Sequence, residues 1–144
     1  MSYVALATDS FEKVARFYGD DLRFPVLAEW DRPRGRGRRF DLGEGLKLEI
    51  LDNTREPRPL ELHKPGDRTH LVIEVPDIHL ARSGLTLSTP EPQHVSWGAL
   101  LFQVRDPDGV PITFLQWLNK HLPFTEDDFV LDVGPVLPPE RGSS

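Results

Sequence analysis

Apolar positions along the chain switch between two periods. Residues 3–8, "YVALAT", read as a strand, and then Phe11, Val14, Ala15 and Tyr18 recur at helical spacing, so one face of a helix is a core face. Ser10 stands at the N-cap, and Glu12 lies in the first turn, where unpaired backbone N–H groups favour negative charge. "FPVLAEW" is the next strand. After an arginine-rich stretch, "RRFDLGEGLKLEIL" supplies two short strands joined through Gly43 and Gly45. The resulting unit is strand, helix, strand, strand, strand.

A polar, proline-rich bridge, "DNTREPRPLELHKPGD", separates this unit from a second pass through the same order. "THLVIEV" reads as a strand, "PDIHLARSG" as a short helix with Asp77 as N-cap and Gly84 as its stop, and "LTLS" as a strand. "VSWGALLFQV" and "VPITFLQW" then form a hairpin across the "DPDG" turn. Tyr3 falls on His70 and Ser10 on Asp77, both pairs 67 positions apart, and an internal duplication explains this. The expected organisation is a first βαβββ module at 1–58, a linker at 59–67, a second module at 68–118 and a C-terminal extension at 119–144.

Strand alternation divides these segments into two faces. Tyr3, Ala5 and Ala7, then Lys47, Glu49 and Leu51, share one parity; so do His70, Val72 and Glu74, and Pro111, Thr113, Leu115 and Trp117. The opposite parity is apolar: Val4, Leu6, Leu46, Leu48, Ile50, Leu71, Ile73, Val75, Ile112 and Phe114. An apolar face belongs under helices, whereas a mixed face suits a wall that lines a ligand. The competing reading is a solvent-facing sheet decorated by Lys47 and Glu49, with Leu115 and Trp117 buried in a dimer contact.

Composition narrows the chemistry. At 144 residues the chain supports one domain or two half-domains around a shared core. The absence of cysteine removes disulfides, thiolate metal sites and cysteine nucleophiles. No apolar run approaches the ~20 residues that span a bilayer, and the N-terminus lacks a signal pattern, so the expectation is a soluble, cytoplasmic protein. A net charge of −6 argues against nucleic-acid and membrane partners and favours cationic small molecules. "DRPRGRGRRF" runs against that charge; it reads as a solvated hairpin loop made flexible by Gly35 and Gly37, with an anion-binding loop as the alternative. No glycine-rich phosphate loop leads from strand to helix, Ser83 and Ser96 lack a nucleophile elbow, and nothing indicates a flavin or nicotinamide.

The paired βαβββ order, the helix ending "ARFYGDDLRF" and the "DPDGVPITFLQ" entry to the last strand resemble the glyoxalase, bleomycin-resistance and type I extradiol dioxygenase superfamily, also called vicinal oxygen chelate, over residues 1 to 118. The resemblance implies an α+β fold, two modules curling a U-shaped, half-barrel mixed sheet around a central cavity with helices outside. It carries the metal-ligand positions of that superfamily onto Tyr3, Glu49, His70 and Thr113. Glu49 and His70 are competent donors; a neutral phenol and a threonine hydroxyl are poor ones. Glu74 cannot assist, because four residues of strand put it roughly 13 Å from His70. Gln116 has the wrong parity, and His63, His79, His94 and His121 read as surface residues.

The expected function is therefore a metal-free small-molecule binding protein, a homodimer, with Tyr3, Trp30, Trp97, Phe102 and Trp117 available to stack on a planar ligand. The ligand-binding set is Tyr3, Lys47, Glu49, His70, Glu74, Trp97, Thr113, Leu115 and Trp117. The alternative is a metal-dependent lyase, isomerase or dioxygenase, with Mn, Fe, Ni or Zn on Glu49 and His70, or with Glu49 as general base. A third reading makes the sheet an assembly surface alone.

Overall fold

The computed structural model describes residues 2–62 and 69–118. Its strands form two sheets of four, each with the same mixed order. In the first, β1 (Val4–Thr8) pairs in parallel with β4 (Leu46–Asp52), which is antiparallel to β3 (Gly35–Gly43), itself antiparallel to the edge strand β2 (Val26–Arg32). In the second, β5 (Leu71–Glu74) lies parallel to β8 (Pro111–Trp117), followed by β7 (Ala99–Arg105) and the edge strand β6 (Gln93–Val95). Both sheets are open, as expected of a half-barrel rather than a closed barrel.

The apolar parity packs as alternation predicts. Leu48, Ile50, Leu71, Ile73, Ile112 and Phe114 are buried with Phe11, Val14, Ala15 and Tyr18 of the first helix, and Leu6, Leu46 and Val75 pack against them. Val4 departs from the pattern and is exposed, at the start of the edge strand β1. Helix α1 (Phe11–Arg16) continues as a π-helical turn (Phe17–Asp21), which carries Tyr18 into the second half of the molecule. There the Tyr18 hydroxyl donates to Asp106 Oδ2 at 2.8 Å. Asp106 Oδ1 accepts the Asp108 and Val110 amides, so one buried carboxylate organises the "DPDG" turn and anchors the first helix. Phe24 stacks on Phe114 at 6.4 Å, and the two sheets feed a single core.

Four local expectations change. Residues 32–39 are not a flexible loop: the turn is only Pro33–Arg34, since Arg32 already pairs with Gly35, and β3 begins there. Arg36 and Arg38 lie on the helix side, paired with Glu12 at 2.6 Å and Glu29 at 3.0 Å. "LTLS" forms no strand. Thr86 instead donates its amide to the Asp21 carbonyl at 3.2 Å, Leu85 and Leu87 pack against the core, and the edge strand comes later, at β6. Ser10 occupies the N-cap of α1 without a side-chain cap bond, whereas Asp77 caps α2 (Ile78–Ser83) by accepting the His79 and Leu80 amides, both at 3.1 Å. Phe102 is not available to a ligand: it is buried and stacks on Phe114 at 5.0 Å. Gln116 faces α2 as its parity requires, accepting the Ile78 amide. The C-terminal extension, His63 and His121 lie outside the described residues.

Candidate functional site

The mixed face of each sheet is built in rungs across the strands. In the first sheet Ala5, Glu49 and Arg39 form one rung; in the second, Val72, Thr113 and Gln103 form its counterpart. Glu49 and Thr113 stand on the mixed face as alternation predicts, Gln103 is not among the expected site residues, and Arg39 enters the expectations only through the arginine-rich stretch 32–39, whose alternative reading is an anion-binding loop. With β3 beginning at Gly35, alternation puts Gly37, Arg39 and Asp41 on the mixed face.

Glu49 is buried, and its Oε1 accepts from Arg39 Nε at 3.0 Å and Nη2 at 2.7 Å. The Arg39 guanidinium also lies 4.3 Å from the Tyr3 ring centroid and 5.6 Å from that of Trp30. The carboxylate partner pushes the Arg39 pKa up from its already high ordinary value, with a further contribution from Tyr3. Trp30 lies against Gly37 so closely that a Cβ there would sit 2.4 Å from its Cζ2, and only glycine leaves room. Lys47 is half-buried on the next rung, opposite Asp41, whose Oδ1 accepts the Gly43 amide at 2.9 Å.

The second sheet answers with neutral groups. His70 Nε2 is 2.8 Å from Thr113 Oγ1, and Gln103 Nε2 donates to the same oxygen at 3.2 Å. Burial, aided by the charge of Arg105, lowers the His70 pKa, so the imidazole is neutral near pH 7. Further along β8, Leu115 is buried, and Trp117 meets Trp97 edge to face at 5.4 Å. Glu74 sits on β5 opposite Leu115 with its side chain exposed.

The wall is open: Tyr3 is 44% exposed and Val72 45%. A groove of about 260 Å³ runs beside β2 and β3, lined by Phe11, Glu29, Trp30, Asp31, Arg36 and Arg38; of the residues expected to meet a ligand it includes Trp30.

The donors on the wall do not suit a resident divalent metal. Glu49 is already neutralised by a guanidinium that would repel a cation, His70 is engaged by Thr113, and Tyr3 and Thr113 are weak ligands. Among the described residues, no three histidine or carboxylate side chains converge as a metal-binding group. Nor is any helix among them long and apolar enough to cross a membrane.

With that geometry in place, the family model for the Glyoxalase/Bleomycin resistance protein/Dioxygenase superfamily matches residues 1–114. Among solved structures, a glyoxalase/bleomycin resistance protein/dioxygenase from Nocardioides aligns with a TM-score of 0.63 at 18% identity, covering 86% of this chain and 87% of its own. TnmS3, an antibiotic binding protein from Streptomyces sp. CB03234, aligns with a TM-score of 0.56 at 23% identity, covering 81% and 97%. A putative glyoxalase family protein from Bacillus anthracis aligns with a TM-score of 0.58 at 20% identity, covering 81% and 93%. At such identities the likeness is one of fold. No curated protein matches the chain.

Proposed function

Because the chain belongs to the Glyoxalase/Bleomycin resistance protein/Dioxygenase superfamily, we propose that it binds a small molecule along the mixed face of its two sheets without a resident metal. The observation that carries this reading is the Arg39 guanidinium on Glu49, which places a fixed positive charge on the best metal donor of the first sheet. What remains on the wall is suited to holding a ligand. Tyr3, Trp97 and Trp117 offer ring surface, Leu115 an apolar floor, Lys47 and Glu74 charges of opposite sign, and His70 with Thr113 a neutral polar pair.

In this reading the two βαβββ modules at 1–58 and 68–118 each contribute one side of the binding wall, and a second copy of the chain covers its open side in a cytoplasmic homodimer. An antibiotic binding protein shares the fold, which accords with a binding role.

The test is a titration of the full chain, purified without chelator, with a panel of planar aromatic compounds of each charge, read by tryptophan fluorescence with and without EDTA. Saturable quenching that EDTA leaves unchanged, with metal far below one ion per chain, is expected. Near-stoichiometric metal whose removal abolishes binding would overturn the proposal.

A further inference from the structure

The Arg39–Glu49 pair has a direction. The Glu49 side chain is 6% exposed and that of Arg39 22%, so the carboxylate lies beneath and the guanidinium above it. Both contacts to Glu49 run to Oε1, through Nε and Nη2. A guanidinium has five N–H donors in a planar fork, of which two are directed at Glu49 Oε1, so donor capacity remains for a ligand. A molecule entering the wall therefore meets the positive end of a dipole whose negative end is buried.

The surroundings reinforce that polarity. Tyr3 and Trp30 both stand within cation–π range of the guanidinium, restricting its rotamers and adding ring surface beside it. Gly37 lets the Trp30 indole lie against the backbone of β3. Lys47, two residues before Glu49 on the same face, brings a second cation, while its cross-strand neighbour Asp41 is turned to the Gly43 amide. The net charge of −6 is a property of the whole surface, and its reach is limited to the ~8 Å screening length of physiological salt. At the wall the nearest charge decides.

We propose that Arg39, held in place by Glu49, is an oxyanion-binding residue, and that the ligand is a planar aromatic molecule carrying a carboxylate, phenolate or enolate oxygen. This rests on the small-molecule binding reading and reverses the cationic preference expected from composition. Glu49 acts as a positioning residue: it fixes the fork that a planar oxyanion accepts from.

Three probes of one shape test it: naphthoate, naphthamide and naphthylmethylammonium, titrated into the full chain and followed by the indole N–H resonances of Trp30, Trp97 and Trp117. Naphthoate is expected to shift Trp30 saturably and to bind at least about tenfold tighter than the amide, the scale of one charge-assisted hydrogen bond. Arg39→Gln alone would strand a buried carboxylate, so the variant is the double Arg39→Gln, Glu49→Gln, which replaces the ion pair by amides of similar shape and is expected to erase the preference. Equal affinity for naphthoate and naphthamide, or a preference that survives in the double variant, overturns the inference. If only the ammonium probe binds, the wall still holds small molecules and the oxyanion assignment fails. If none of the three moves any indole signal, both readings fail.

Discussion

Glu49 on β4 and Thr113 on β8 hold the same place in two sheets of identical strand order, each between its parallel partner and its antiparallel one. The rung through Glu49 is closed by Arg39, and the rung through Thr113 by Gln103. One mixed face thus carries an ion pair and the other a chain of neutral hydrogen bonds. Equivalent backbone positions do not carry equivalent chemistry. The frame needs only apolar residues on its helix side, and the mixed face is left to diverge without cost to the core.

The largest effect expected from this contrast follows from removing one partner on each side. Arg39→Ala leaves a buried carboxylate unpaired and should lower stability more than any other single substitution proposed, though by less than breaking a deeply buried pair because Arg39 itself is partly solvated. Thr113→Val keeps the side-chain shape, removes one neutral partner of His70 and should cost about 1 kcal/mol. Urea unfolding of both variants measures the difference, and equal losses would mean that the two rungs do not differ in kind.

A second pair sharpens the same comparison at the helix starts. Asp77 accepts two amides at the start of α2, and Asp77→Ala should cost about 1 kcal/mol. Ser10 makes no such bond in the first half; its own amide donates to Thr8 Oγ1 at 2.9 Å, and Ser10→Ala should leave stability within a few tenths of a kcal/mol of the parent. Thermal unfolding of the two variants side by side distinguishes them. A Ser10 variant as damaged as the Asp77 variant would mean that the Ser10 hydroxyl does cap α1.

Much of the frame was legible because alternation is a local signal. The parity of Leu48, Ile50, Ile73, Ile112 and Phe114 followed from their own segments, and burial agrees with it. The strand at "LTLS" was not legible, since Thr86 is claimed by Asp21, 65 positions away, and no local pattern announces such a bond. Ser10 has the right residue type and position, but whether its hydroxyl reaches an amide depends on backbone angles that composition does not fix. At the site, Glu49 and His70 stood out as metal-type residues, yet what they do depends on their cross-strand neighbours. Arg39 became visible only with the register of β3, and Gln103 only with that of β7.

The smallest expected effect concerns His70, and it separates the two halves by pH. Burial lowers the folded-state pKa of His70 below its ordinary value of 6.5. In the interval between the two values the unfolded chain binds more protons than the folded one, so stability falls as pH drops through the ordinary histidine range and levels off below the folded pKa. His70→Gln should remove that part of the slope, and the difference between parent and variant isolates it from other groups, including the buried Asp106, whose raised pKa acts in the opposite sense. The hydrogen-bond chain also leads to a testable expectation for the tautomer. Thr113 Oγ1 accepts from Gln103 and can donate its own proton to His70 Nε2, which leaves the ring proton on Nδ1. Nitrogen chemical shifts of the imidazole read this directly. A His70 that titrates at or above 6.5 would mean that the second face is not the neutral counterpart of the first, and a proton found on Nε2 would mean that Thr113 accepts from the ring instead of donating to it.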